Sequence, residues 1–283
     1  MKNKILVTGG AGFIGSNLIR QLIQAGEEVD CLDNFSTGNN SEANCRYYNY
    51  DISEISLLNA DDYKICFHLA GLSRIQPSFK IPETFFKTNT FGTIAVMEWA
   101  KGYNMKIVYS GSSSKHHNPH ISPYACSKYL GEEVCKTYRT TFGVDVDIAR
   151  FYNVYGPNEI QTPEWGAVIG IWRNRIANKL PLQIVGDGEQ RRDFTHVHDI
   201  VSGLNAISKH IYFNNDAWEL GSGVNYSINE VFELFKQRYP DITAEYIPQQ
   251  KGNYQETLRT NDEALNILNW KCTGDLKEYI KSL

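Results

Sequence analysis

The chain has 283 residues, 42% hydrophobic and 21% charged, with a formal net charge of −4 and a pI near 6.0. That length supports one large domain or two closely packed ones, enough to bury a core around a deep ligand site. The slightly acidic balance, without any cluster of Lys and Arg, argues against nucleic acid or an anionic membrane as the main partner.

The opening, "MKNKILVTGG", has an apolar run too short for a signal segment or a membrane span. Ile5 to Val7 read as a short strand. Glycines follow at 9, 10, 12 and 15, and Leu18, Ile19, Leu22 and Ile23 then carry a helical period through Ala25. Gly26 stops that helix, "EEVDCLD" reads as a second strand, and Asp33 falls at its carboxyl end. Such glycines let the backbone approach a pyrophosphate while the helix aims its first amides at the anion. An acid at the next strand end suits the ribose hydroxyls of NAD and repels the 2′-phosphate of NADP. The competing reading of Asp33 is a cap on the turn "DNFSTG".

Downstream, "KICFHLAG" reads as a strand, residues 81–103 as one long helix, and "MKIVYSGSS" as a strand. Then come "SPYACSKYLGEEVCKTYRTTFG" as a helix and "VDVDIARFYNVYG" as a strand. This alternation predicts α/β architecture: a Rossmann-type, doubly wound parallel sheet. After Gly156 the rhythm changes to a helix, a short strand, a polar run and a final helix–strand–helix stretch. The expected division is a dinucleotide-binding domain over 1–155, with chain returning near 190–215, and a smaller substrate-binding lobe over 156–283.

Within "YSGSSSKHHNPHISPYACSK", Tyr124 and Lys128 are one helical turn apart and share a face. An ammonium beside a phenol lowers its pKa toward neutrality, so the pair can move protons, with Ser112 sharing the proton. A Tyr-x-x-x-Lys alone arises by chance roughly once in such a chain. Its position after a dinucleotide fingerprint, on the helix following the fourth strand, favours the catalytic reading over a packed tyrosine.

At this point the sequence resembles the extended short-chain dehydrogenase/reductases, and within them the NAD-dependent sugar-nucleotide epimerases and dehydratases. The motifs are "TGGAGFIGS", "DNFSTG", Asp51-Ile52, "HLAG", "NTFGT", the serine cluster, Tyr124 with Lys128, "RFYNVYGP", "GDGEQRRDFTHVHD" and "GSGVNYSI". The resemblance implies that Gly9, Gly12, Phe13, Ile14, Gly15, Asp33, Asn34, Ser36, Asp51, Ile52, Leu69, Ala70, Asn89, Tyr124 and Lys128 contact NAD. It further implies that Ser112, Tyr124 and Lys128 are catalytic, and that Ser78, Asn153 and Arg192 hold a nucleotide sugar. A homodimer through helices near 84–101 and 124–141, using residues such as Phe86 and Tyr138, is also implied.

Three departures from the family pattern stand out. The loop from Ser112 to Tyr124 is short and carries "KHH"; its His116, His117 and His120 read as solvated loop residues, with substrate contact as the alternative. Where the family has Arg-x-Gly-Asp, this chain has Gln250-Lys251-Gly252-Asn253, leaving Lys251 or Arg259 to compensate. Ser113 and Ser114 occupy places where related dehydratases carry Asp and Glu, and decarboxylases a Glu, so elimination and decarboxylation lack their acid–base groups; Glu164 is the carboxylate that could reach in.

No metal is expected. "HVHD" at 196–199 reads as a helix start, and six cysteines without a C-x-x-C pair read as reduced thiols of a cytoplasmic protein. The resulting expectation is an NAD-dependent sugar-nucleotide epimerase acting at C4. The alternatives are a dehydratase or other redox modification of the sugar, or a catalytically silent NAD-binding regulator.

Overall fold

The computed structural model describes residues 4–211 and 214–283. Seven parallel strands form the main sheet: β1 (Lys4–Thr8), β2 (Glu28–Leu32), β3 (Arg46–Tyr48), β4 (Tyr63–His68), β5 (Lys106–Ser112), β6 (Val146–Phe151) and, entering much later in the chain, Trp218–Leu220. Their order is β3-β2-β1-β4-β5-β6 followed by the Trp218–Leu220 strand. The chain order reverses between β1 and β4, which opens a crevice at the carboxyl ends of these strands. Side chains alternate across the pleat, so Leu6 enters a core on one face with Met97, Trp99 and Cys135, while Ile5 and Val7 enter the other with Leu18, Ile19 and Leu204.

The helix after β1, α1 (Phe13–Gln24), starts five residues before Leu18, the first residue of the apolar period, and immediately past Gly12. After β4 come α2 (Ile75–Lys80) and α3 (Pro82–Phe86). The expected long helix is interrupted by a π-helical turn at Lys87–Phe91 before α4 (Gly92–Ala100). Asn89 sits on that turn, and its side chain bonds to Leu72 N and O and to Ser127 Oγ, in keeping with π turns clustering at functional sites.

Helix α5 (Pro123–Phe142) follows β5. Ser122 caps it through Ala125 N at 3.1 Å, Pro123 fits the first turn, and Gly143, at φ +69, ends it. The expected strand over 144–156 splits at Tyr152. Its first half is β6; its second, β7 (Asn153–Tyr155), leaves the main sheet for a small one. The remaining elements are α6 (Val168–Ala177), β8 (Leu182–Val185), β9 (Arg191–His196), α7 (Val197–Lys209), β10 (Trp218–Leu220), β11 (Asn225–Ser227), α8 (Ile228–Arg238) and β12 (Ala244–Ile247), ahead of two short C-terminal helices. Strands β7, β9 and β11 form the small sheet and β8 pairs with β12. Around them packs a third core with Trp172, Ile184, Phe194 and Phe235.

Candidate active site

A cavity of about 920 Å³ runs across the carboxyl ends of β1, β4 and β5 and on to the β8–β12 pair. Of the predicted residues, Gly9, Gly12, Phe13, Ile14, Gly15, Asp33, Asn34, Ser36, Asp51, Ile52, Leu69, Ala70, Ser112, Tyr124, Lys128, Asn153 and Arg192 line it. Asn89 and Ser78 do not. Asn89 is buried and props the loop at Leu72. Ser78 is fully buried, and its hydroxyl is committed to Ile75 O at 2.6 Å, which removes the expected substrate contact.

The glycines divide into two kinds. A Cβ on Gly15 would stand 2.3 Å from Gly9 O, and one on Gly9 2.6 Å from Ala70 N, so the turn itself forbids side chains there. On Gly12 a Cβ would meet only Gly9 O, at a tight 3.3 Å, a milder conflict than at the other two, and the bare backbone leaves room for a ligand. Helix α1 has no side-chain cap and no acid in its first turn. Its leading amides therefore suit a pyrophosphate.

Asp33 braces its turn and also faces the cavity. Its carboxylate accepts from Ala11 N at 2.9 Å and from Phe35 N at 2.8 Å while lining the cavity. Burial raises its pKa, against the pull of those two amides. Asp51 accepts from Asn34 Nδ2 at 3.0 Å and caps the turn beginning at Ile52. This end fits an adenine dinucleotide.

Tyr124 Oη lies 3.1 Å from Ser112 Oγ, which also accepts from Ser114 N at 3.2 Å. Lys128 Nζ is not bonded to the phenol; it donates to Ser110 O at 2.5 Å. Burial lowers the lysine to about 8 and raises the tyrosine, whereas Ser112 and Arg74 pull the tyrosine down. The expected lowering of Tyr124 is thus absent from the protein alone, because desolvation of the phenolate outweighs its neighbours. Beneath Ser112, Glu132 and Glu219 share the buried guanidinium of Arg150 at 2.8 and 2.9 Å.

The short loop is anchored by two of its histidines, although His116 and His120 remain exposed to solvent. His116 Nε2 meets the buried Glu219 at 2.9 Å, and the His117 ring stacks on Tyr254 with centroids 4.0 Å apart. The hydroxyls of Ser114 and Tyr254 are buried beside each other, and neither has another side-chain or backbone partner among the described residues. His196 caps α7 through His198 N, and Asp199 accepts from Thr273 N and Gly274 N. Neither supposed replacement for the missing arginine reaches the cavity: Arg259 bonds to Gly221 O and Asp262, and Lys251 lies over the Phe79 ring, while Gln250 and Asn253 line the wall.

Sequence reasoning missed Arg74, Trp165 and Tyr254. Trp165 stacks on Phe85, which presents its ring edge-on to Tyr124; Arg74 Nε donates to the carbonyls of Trp165 and Gly166. Arg74 sits three residues past the end of "HLAG" and Tyr254 right after Asn253, so both motifs stop short of the residue that lines the site.

Residues 5–221 match the NAD dependent epimerase/dehydratase family. The chain is 32% identical to the putative UDP-glucose 4-epimerase of Methanocaldococcus jannaschii, over 98% of this chain and 96% of that one. It is 29% identical to a UDP-glucuronate 4-epimerase of Thermodesulfobacterium geofontis, over 98% and 93%. The crystal structure of UDP-glucose 4-epimerase with UDP-glucose from Thermotoga maritima superposes with a TM-score of 0.91 at 28% identity, covering 98% of this chain and 96% of that one.

Proposed function

The chain belongs to the NAD dependent epimerase/dehydratase family, and on that premise we propose that it is an NAD-dependent nucleotide-sugar epimerase acting at C4. The observation that carries the reading is the Ser112–Tyr124 contact of 3.1 Å at the mouth of a glycine-lined dinucleotide groove. NAD, when bound, supplies the oxidising and then reducing equivalent at C4. Gly9, Gly12, Gly15 and the first turn of α1 hold its pyrophosphate, and Asp33 its ribose.

In this reading Tyr124 takes the proton of the sugar 4-hydroxyl and returns it after the keto sugar has turned over. Ser112 holds the same oxygen and favours the phenolate, while Lys128, one turn further along α5 and held on Ser110 O, faces the cofactor side of the site. Arg192 and Asn153 hold the diphosphate, since a guanidinium fork matches phosphate oxygens; burial lowers Arg192 to about 10, so it remains cationic at neutral pH. Among the described residues the cavity's carboxylates are Asp33, Asp51 and the exposed Glu164. Ser113 and Ser114, on the turn right after Ser112, line the cavity instead, which favours epimerisation over elimination or decarboxylation.

The same reading makes the protein cytoplasmic and homodimeric. Six free cysteines support the first, and no helix among the described residues is long and apolar enough to cross a membrane. Exposed Phe91 and Phe142 support the second. Phe86 and Tyr138 are half-buried, and Tyr138 donates to Glu98 of its own chain at 2.5 Å, so they contribute less than expected.

Incubation of the NAD-loaded protein with UDP-, dTDP-, GDP- and CDP-sugars, read by NMR, tests the reaction. A product of unchanged mass with C4 inverted is expected; loss of water or carbon dioxide would overturn the reading. Light scattering at micromolar concentration tests the dimer.

A further inference from the structure

Arg74 is a cation of this cavity to which the reaction as described assigns no contact with the substrate. It occupies the turn between β4 and α2 at φ +92, a backbone conformation that residues other than glycine rarely adopt. Such outliers persist where surrounding structure enforces them, commonly at ligand clamps. The neck of the side chain is fixed, because Nε donates to Trp165 O and Gly166 O, both at 3.0 Å. Its terminal nitrogens bond to none of the described residues, and the side chain lines the cavity.

Two titratable neighbours define where this fork acts, an acid and a phenol. Glu159 is near enough to interact electrostatically, but it is already held by Arg173 at 3.0 Å and does not neutralise Arg74. The other neighbour is Tyr124 itself. The free fork therefore stands at the sugar end of the cavity, beside the group that works on C4, while the diphosphate has its own candidate in Arg192 on β9. A neutral hexose would leave a largely desolvated guanidinium without an anion. A sugar carboxylate would meet it with paired, charge-assisted hydrogen bonds.

We propose that Arg74 is a specificity residue whose free guanidinium fork receives a carboxylate on the sugar ring, making a nucleotide-linked uronic acid the preferred substrate class. The proposal rests on the epimerase reading, because it needs the sugar next to Tyr124. It leaves the pinning of the Trp165 wall to Nε alone.

The test uses the NAD-loaded protein titrated calorimetrically with UDP-glucuronate and UDP-glucose, with C4 inversion followed separately by NMR. UDP-glucuronate is expected to bind at least about 10-fold tighter than UDP-glucose. Arg74→Gly, which suits the positive φ, and Arg74→Gln should each weaken UDP-glucuronate by about 10- to 100-fold and weaken UDP-glucose, which loses only the clasp on the Trp165 wall, by at least about 5-fold less. Equal affinities in the unaltered protein, binding of neither ligand, or equal losses for both sugars in the two variants would overturn the proposal; the last would reduce Arg74 to a clasp for Trp165. If the affinities follow the expectation but neither sugar is inverted at C4, the carboxylate site stands and the epimerase reading falls.

Discussion

The two ends of the cavity are built on opposite terms. At the dinucleotide end the polar groups already satisfy one another: Asp33 holds two amides, Asn34 bonds Asp51, and Asp51 caps its own turn. What a ligand finds there is shaped backbone and the leading amides of α1. At the sugar end polar groups wait in the wall or just behind it: the paired hydroxyls of Ser114 and Tyr254 have no other partner, Glu159, behind the lining, keeps one buried oxygen unbonded, and the Arg74 fork is free. The first end is a mould set by the chain; the second spends folding stability to hold groups ready for a substrate.

Removing the phenol is the harshest test of that contrast. Tyr124→Phe should lower turnover by about 10² to 10⁴ while NAD affinity measured by calorimetry stays as it was. Near-normal activity would make Tyr124 a packing residue.

The cost side is sharpened by Glu159, which burial raises to about 7 from an ordinary 4.5 despite the Arg173 bond. The folded carboxyl binds its proton more tightly than the unfolded one. Its stabilising share is therefore full below about pH 4.5 and is lost as pH rises through 7. Denaturant melts of Glu159→Gln against the unaltered protein should show the variant gaining by up to about 3 kcal/mol between those limits. Parallel pH profiles would show that this end carries no such cost.

At the other end, Asp33→Asn should weaken NAD by about 10- to 100-fold and erase its advantage over NADP, read by titration with both. An unchanged preference would leave Asp33 as a turn cap only. The mildest change is Tyr254→Phe, expected to alter the KM for the nucleotide sugar by about 3- to 10-fold with NAD affinity untouched. An effect on NAD alone would blur the division between the two ends.

This division also explains what the sequence made legible. The dinucleotide end comes from neighbours in sequence, Gly9 to Gly15 with Asp33 one strand later, so strand, turn and helix signals coincide with the chemistry. The Ser112, Tyr124 and Lys128 group was equally readable, since β5 and the capped start of α5 adjoin. Arg74, Trp165 and Tyr254 arrive from three distant loops and share no periodicity, so only tertiary packing brings them together. Ser78 shows the opposite error: it matches a motif position, yet a helix back-bond to Ile75 draws its hydroxyl away from the cavity. The π turn at Lys87–Phe91 leaves no trace in the apolar pattern, because an extra residue in one helical turn changes hydrogen-bond pairing without changing composition.

The late arrival of β10 and α7 decides whether the halves are separable. One face of the main sheet is covered by Val197, Ile200, Val201 and Leu204 of α7, and β10 adds Trp218 and Leu220 to the same core. Strand β6 pairs with β10 along its outer edge. A fragment cut at residue 155 would present an open strand edge and a bare apolar face to water, which invites aggregation instead of autonomous folding. The chain crosses between main sheet and small sheet at Tyr152, again between β9 and α7, and again between β10 and β11. Three covalent crossings bind cofactor half and sugar half into one cooperative unit, so the protein should melt in a single transition and its two ligand sites cannot be exchanged as modules.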